Sequence, residues 1–144
     1  MRMTLKTFLF PTYYDESRSY SMLLLVVRIF FGVLFLTHGY DKLMAHSTMA
    51  NLFADPFGIG PTLSFWMVVF AEVVCSFSLI FGLLQRLVLI PMIFTMCVAL
   101  FVIHASDPLV IKELALMYLT IFVLTFFSGP GRFSIDEILR KAIS

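Results

Sequence analysis

Residues 62–103 read TLSFWMVVFAEVVCSFSLIFGLL, then QR, then LVLIPMIFTMCVALFVI. The first run, 62–84, carries a single charge, Glu72, and the second, 87–103, carries none. A helix crossing the hydrocarbon core of a bilayer needs about 20 mainly apolar residues, with roughly 17–25 tolerated, and both runs satisfy this. Only Gln85 and Arg86 separate them, so the two spans must be antiparallel neighbours. Two similar runs flank this hairpin. One covers about 21–40 and contains Arg28 and His38. The other covers about 109–127, with Lys112 and Glu113 near its start, and it spans only if those two charges sit at an interface.

The composition agrees. Of 144 residues, 60% are hydrophobic and 13% charged, with a mean hydropathy of +0.99. Soluble domains carry about 25% charged residues, so the chain is an integral membrane protein, and its length gives one domain. A formal net charge of +1 with no basic face excludes nucleic acid as a partner. Cys75 and Cys97 stand apart in apolar runs, which offers neither a disulfide framework nor a redox C-x-x-C. G-x-S-x-G, P-loop and H-E-x-x-H motifs are absent from the sequence, so hydrolytic and nucleotide-driven chemistry have no visible machinery.

The expected organisation is a cytoplasmic arm over residues 1–20, an antiparallel four-helix transmembrane bundle over 21–131, and an interfacial helix over 132–144. The arm begins with basic residues like a signal peptide, but FLF is too short an apolar region and Pro11 and Asp15-Glu16 interrupt it. The 43–61 connection ends in DPFGIGP, rich in turn formers, and its MANLF stretch is apolar enough to rest on a membrane surface. Gly129-Pro130-Gly131 stops the fourth span. Ser134 and Glu137 then have capping-box spacing, and Ile135, Ile138, Leu139, Ala142 and Ile143 make one apolar stripe opposite Arg140 and Lys141. Arg2, Lys6, Arg18, Arg86, Arg132, Arg140 and Lys141 fall on the side of the termini, and only Lys42 and Lys112 fall on the other. That asymmetry places both termini in the cytoplasm.

Charges inside spanning segments are costly and find partners in the bundle interior. Arg28 and Glu72 are the economical pair, reading either as a clamp between two helices or as the centre of a ligand, quinone or proton site. At the outer end, His38 and Lys42 share a face of the first helix with Arg28, Gly32 and Gly39, while His104 ends the third span and Glu113 opens the fourth. These four side chains belong at one depth, where they could titrate, bind an anion or hold a quinone headgroup, or where Lys42 and Glu113 simply pair. Gly32 and Gly39 permit close helix approach. His38 and His104 alone are a thin pattern for haem, and no four-ligand zinc spacing occurs.

Taken in order, Arg28, Gly32, His38-Gly39-Tyr40-Asp41-Lys42, Glu72, Gly82, Arg86, His104, Glu113, Gly129-Pro130-Gly131-Arg132, Ser134 and Asp136 resemble the DoxX family of small four-helix bacterial membrane proteins, over about 23–136. The small Gly-Gly pair common after the glutamate is here Cys75-Ser76. The resemblance implies a multi-pass protein of the bacterial inner membrane. It implies either an accessory, quinone-binding or small-ligand-binding subunit of a redox system, as in thiosulfate:quinone oxidoreductase, or a non-enzymatic scaffold or chaperone-like assembly factor. A small transporter would need several copies, since no inverted repeat is present. Any oxidoreductase role would take its electron-carrying cofactor from a partner subunit, because this chain encodes none visibly. The bilayer is the expected partner, with homo-oligomers left open.

Overall fold

The computed structural model describes residues 17–143, so the expected N-terminal arm lies outside the described residues up to position 16. Among the described residues every regular element is a helix. The spanning helices are α1 (Arg18–Met44), α3 (Pro61–Phe81), α4 (Gln85–Ile103) and α5 (Leu109–Ser128), each long and apolar enough to cross a membrane. Short α2 (His46–Met49) lies in the outer connection, and α6 (Ile135–Ile143) closes the chain. The chain is therefore an all-α membrane protein built on an antiparallel four-helix bundle, as the hydropathy pattern predicts.

Local chemistry sets the boundaries. Ser17 caps α1 by accepting the Tyr20 amide at 3.2 Å, so α1 begins inside the segment read as an arm. Pro61 opens α3, where its missing N–H costs nothing. The α3–α4 turn falls at 82–84 rather than at Gln85-Arg86; Gln85 is already helical. Gly82 has φ +65°, and Leu84 also takes the left-handed conformation at φ 46°. Pro91 sits inside α4, and Thr95 donates to its carbonyl at 2.9 Å.

The register of α1 against α3 follows from small residues. A Cβ on Gly32 would lie 2.6 Å from Ile80, and one on Gly39 would lie 2.7 Å from the Glu72 Cβ. Both glycines admit the facing helix, as their spacing suggests. Between α1, α3, α4 and α5 the core gathers Phe35, Leu79, Leu89, Met92, Tyr118 and Phe122. The Phe35 and Phe122 rings meet edge to face at 4.9 Å.

At the end of the bundle that carries the termini, the chain locks on itself. Asp136 accepts the Leu84 amide at 2.7 Å and the Gln85 amide at 2.9 Å, capping α4, while its own amide donates to the Gly82 carbonyl. Burial pushes the Asp136 carboxyl above its ordinary range, opposed by those two amides and by Arg28. Arg28 is 1% exposed and donates to the Phe133 carbonyl at 2.5 Å. Its guanidinium occupies the space that a Cβ on Gly82 would need, which with the positive φ makes glycine obligatory there. Ser134 accepts the Glu137 amide at 3.1 Å, the expected start of α6. Its stripe residue Ile138 is exposed.

Asp136→Ala removes the cap of α4 and the acidic neighbour of a buried arginine at once. The expected loss is about 1–3 kcal/mol, the scale of leaving buried amide donors without an acceptor. Lys141→Ala, on an exposed side chain, should stay within about 0.5 kcal/mol. Unfolding of both variants in mixed micelles of mild detergent and SDS checks the contrast.

Candidate functional site

The outer half of the bundle holds a cavity of about 750 Å³. Its walls are mostly apolar and come from α3, α4, α5 and the outer connection, and its polar groups converge from α1, α3 and α5. The site exists because α3 and α4 are tied together at the 82–84 turn and lie close along their inner halves, leaving their outer halves apart.

Glu72 is the innermost charge, 4% exposed. It lies in a π-helical turn, Phe70–Val74, where one extra residue per turn breaks the regular α register. Lys42 answers it with two hydrogen bonds, at 2.9 Å to Oε1 and 2.7 Å to Oε2. The expected Arg28–Glu72 pair is thus corrected. Arg28 lies level with Gly82, ten residues along α3 from Glu72 and roughly 15 Å away at 1.5 Å per residue. An arginine stem cannot cover that distance. Each buried charge has its own partners at its own end.

His38 lines the same cavity and meets the Tyr118 ring edge to face at 5.8 Å. The Glu72 carboxylate is within electrostatic range of both His38 and Tyr118. Tyr118 is 5% exposed. His104 also lines the cavity, just past the π-helical turn Ala99–Ile103 that ends α4, and its Nδ1 lies 2.7 Å from Asp107 Oδ2. Glu113 is exposed on α5 and does not line the cavity, so it neither joins the cluster nor pairs with Lys42. Three of the four outer residues converge with Glu72; the fourth does not.

Sequence reasoning missed Tyr118, which sits in an apolar run with nothing to distinguish its hydroxyl. It also missed the roof. Asp55 gathers the outer connection by accepting from the Ile59 amide (3.1 Å), the Gly60 amide (2.8 Å) and the Ser64 hydroxyl (2.8 Å). Phe53, Ala54, Pro56, Phe57 and Ile59 thereby cover the cavity, and Phe57 stacks on Phe94 of α4 at 6.0 Å. In the MANLF stretch Ala50 is buried, while Met49 and Leu52 are exposed. Gly82, Gly129, Pro130, Gly131 and Asp136 all belong to the inner lock and are buried, Arg86 is half-buried, and Arg132 is exposed. Cys75 and Cys97 are free thiols.

Lys42→Met leaves Glu72 as an uncompensated buried charge, and the expected cost is about 3–5 kcal/mol. Lys42→Met with Glu72→Leu should recover most of that loss. Equal instability of the single and double variants in detergent unfolding would mean that the pair is not what couples α1 to α3. A second expectation concerns the roof. Desolvation raises the Asp55 carboxyl, but the Gly60 amide, the Ser64 hydroxyl and the Ile59 and Gly58 amides together outweigh it and hold the group below its ordinary value of 3.8. A depressed folded pKa gives stability that is fully present above 3.8 and lost as pH falls through the lower folded value. Exchange protection of the Ile59 and Gly60 amides should therefore fade only under strongly acidic conditions, and Asp55→Ala should abolish it at neutral pH.

Comparison with known proteins agrees with this architecture. Residues 23–105 match the model of the DoxX family. An uncharacterized protein of Haemophilus influenzae is 28% identical over 126 residues, covering 82% of this chain and 83% of its own. The inner membrane protein YqjF of Escherichia coli is 31% identical over 122 residues, covering 81% of this chain and 92% of its own. No solved structure matches.

Proposed function

The chain belongs to the DoxX family, and we propose that it binds a lipid-soluble molecule with a small polar head, of quinone or quinol type, in the outer cavity. On this reading it is an accessory subunit of a redox system in the bacterial inner membrane. One observation carries the proposal: a cavity of about 750 Å³ with mostly apolar walls also takes in His38, Lys42, Glu72 and Tyr118. That size and lining are typical of small-molecule sites.

The available groups suit a head with oxygen atoms that accept or donate. The Tyr118 hydroxyl and the His38 ring can do either, and Lys42 keeps one N–H after its two bonds to Glu72. A fully ionic head is less suited, because it would have to break the Lys42–Glu72 pair in a low-dielectric site. A quinone held there would supply two-electron chemistry, with electrons arriving from a partner subunit. This chain's own residues would orient the head and exclude water. The seven-to-two distribution of Lys and Arg supports cytoplasmic termini and, with them, a cavity on the periplasmic side.

Trp66 is the single tryptophan and lines the cavity, so its fluorescence reports occupancy directly. Titration of a decyl-tailed benzoquinone into purified protein should give saturable quenching. His38→Ala and Glu72→Gln should each weaken it at least tenfold without loss of the folded protein from the membrane. Quenching that never saturates, together with a partner chain that copurifies without small molecules, would overturn this reading in favour of a scaffold.

A further inference from the structure

We infer that the outer cavity opens to the bilayer rather than to water, through a portal between the outer halves of α3 and α4, and that its ligand keeps an apolar tail in the hydrocarbon while its head reaches Lys42, Glu72, His38 and Tyr118. The inference deepens the ligand-binding reading and rests on it for the ligand, but the direction of the opening stands on geometry alone.

Three features of the cavity define that direction. His38 and Lys42 stand on α1, and Gly39 draws Glu72 against that helix. The side toward α3 and α4 is formed by Met67, Phe70 and Phe94, which are each about half exposed on the outer surface of spanning helices. At that level the surrounding medium is acyl chain, so exposure there is exposure to lipid. The third feature is the roof. Asp55 holds the 53–59 segment in a fixed turn, and the Phe57–Phe94 stack joins that turn to α4. Water therefore meets ordered backbone and aromatic rings, while lipid meets the outer ends of α3 and α4, which diverge beyond the contacts of their inner halves.

The chemistry of the occupant follows. A molecule entering from hydrocarbon must be stable there, which requires a long apolar portion, and must carry a compact uncharged head to gain hydrogen bonds at the α1 side. Its tail would leave past Met67, Phe70 and Phe94 and remain solvated by acyl chains. A head without a tail partitions poorly into the hydrocarbon from which the portal is entered and lacks the contacts that a tail makes along Met67, Phe70 and Phe94.

Access can be read without knowing the ligand. In a Cys75→Ser, Cys97→Ser background, Val98→Cys places a thiol on the cavity wall, and Leu52→Cys places one at an 86% exposed position of the outer connection. In nanodiscs, N-phenylmaleimide, which dissolves in lipid, should label both. A membrane-impermeant charged maleimide should label Leu52→Cys and leave Val98→Cys at least tenfold slower. Equal labelling of Val98→Cys by the charged reagent would place the opening on the water side and overturn the inference. Should the cysteine-free background fail to fold, the comparison moves to the native chain. There, a decyl-tailed benzoquinone should bind at least tenfold more tightly than its tail-less head when both are expressed as mole fraction in the membrane, and equal affinities would overturn the inference. Absence of any quinone binding, with the labelling contrast intact, would remove the proposed ligand and leave the portal.

Discussion

A carboxylate inside hydrocarbon has to be neutralised, and Glu72 is neutralised by one side chain, Lys42, at 2.7 Å. That contact constrains the outer half of the bundle. Lys42 lies three residues beyond Gly39 on α1, and Gly39 has no side chain because the Glu72 Cβ already occupies its space. The carboxylate is presented from a π-helical turn, and such turns redirect a side chain without ending the helix. Close approach, helix irregularity and ion pair are thus three parts of one arrangement. Widening the α1–α3 gap to admit a Cβ at Gly39 would also lengthen the ion pair.

The other buried charge is treated in a different way. Arg28 meets the backbone of the segment after α5 and lies near Asp136, which in turn caps α4. This joins α1, the α3–α4 turn and α6 through hydrogen bonds to main chain, which are insensitive to side-chain substitution in the partner. The result is an asymmetric molecule. Its inner end is cross-connected through buried glycines, an aspartate and an arginine, and its outer end is held by one ion pair and a roofed loop. A cavity can form only where the helices are not tied together, and the sequence distributes its ties accordingly.

Hydropathy made the four spans legible to within a few residues, because burying backbone in lipid leaves a helix of fixed minimum length as the only solution. Turn chemistry made the stop at Gly129-Pro130-Gly131 and the cap at Ser134 legible as well. The pairing of charges was not. Depth counted from the apolar boundary of each run put Arg28 and Glu72 within reach of each other, but α1 extends from Arg18 to Met44, past both estimated ends. The register set by Gly32 against Ile80 and Gly39 against Glu72 then carries Arg28 on to Gly82. Glu113 and Tyr118 show the same blindness from the other side. Both lie on α5, and only the packed bundle reveals that Tyr118 faces inward while Glu113 faces out.

The two π-helical turns are linked to the cavity by more than position. One presents Glu72 midway along α3 and the other ends α4 next to His104, and both of these residues line the cavity. A π turn inserts a residue without changing the helix axis greatly, so it rotates everything beyond it relative to the inner half. For α3 that rotation allows Phe65 and Val69 to pack under Phe53 and Leu43 while Glu72 faces α1. For α4 it brings His104 to the cavity rim beside Asp107. The inner half of each helix is therefore free to satisfy core packing, and the outer half to satisfy the site, with the π turn absorbing the mismatch between them.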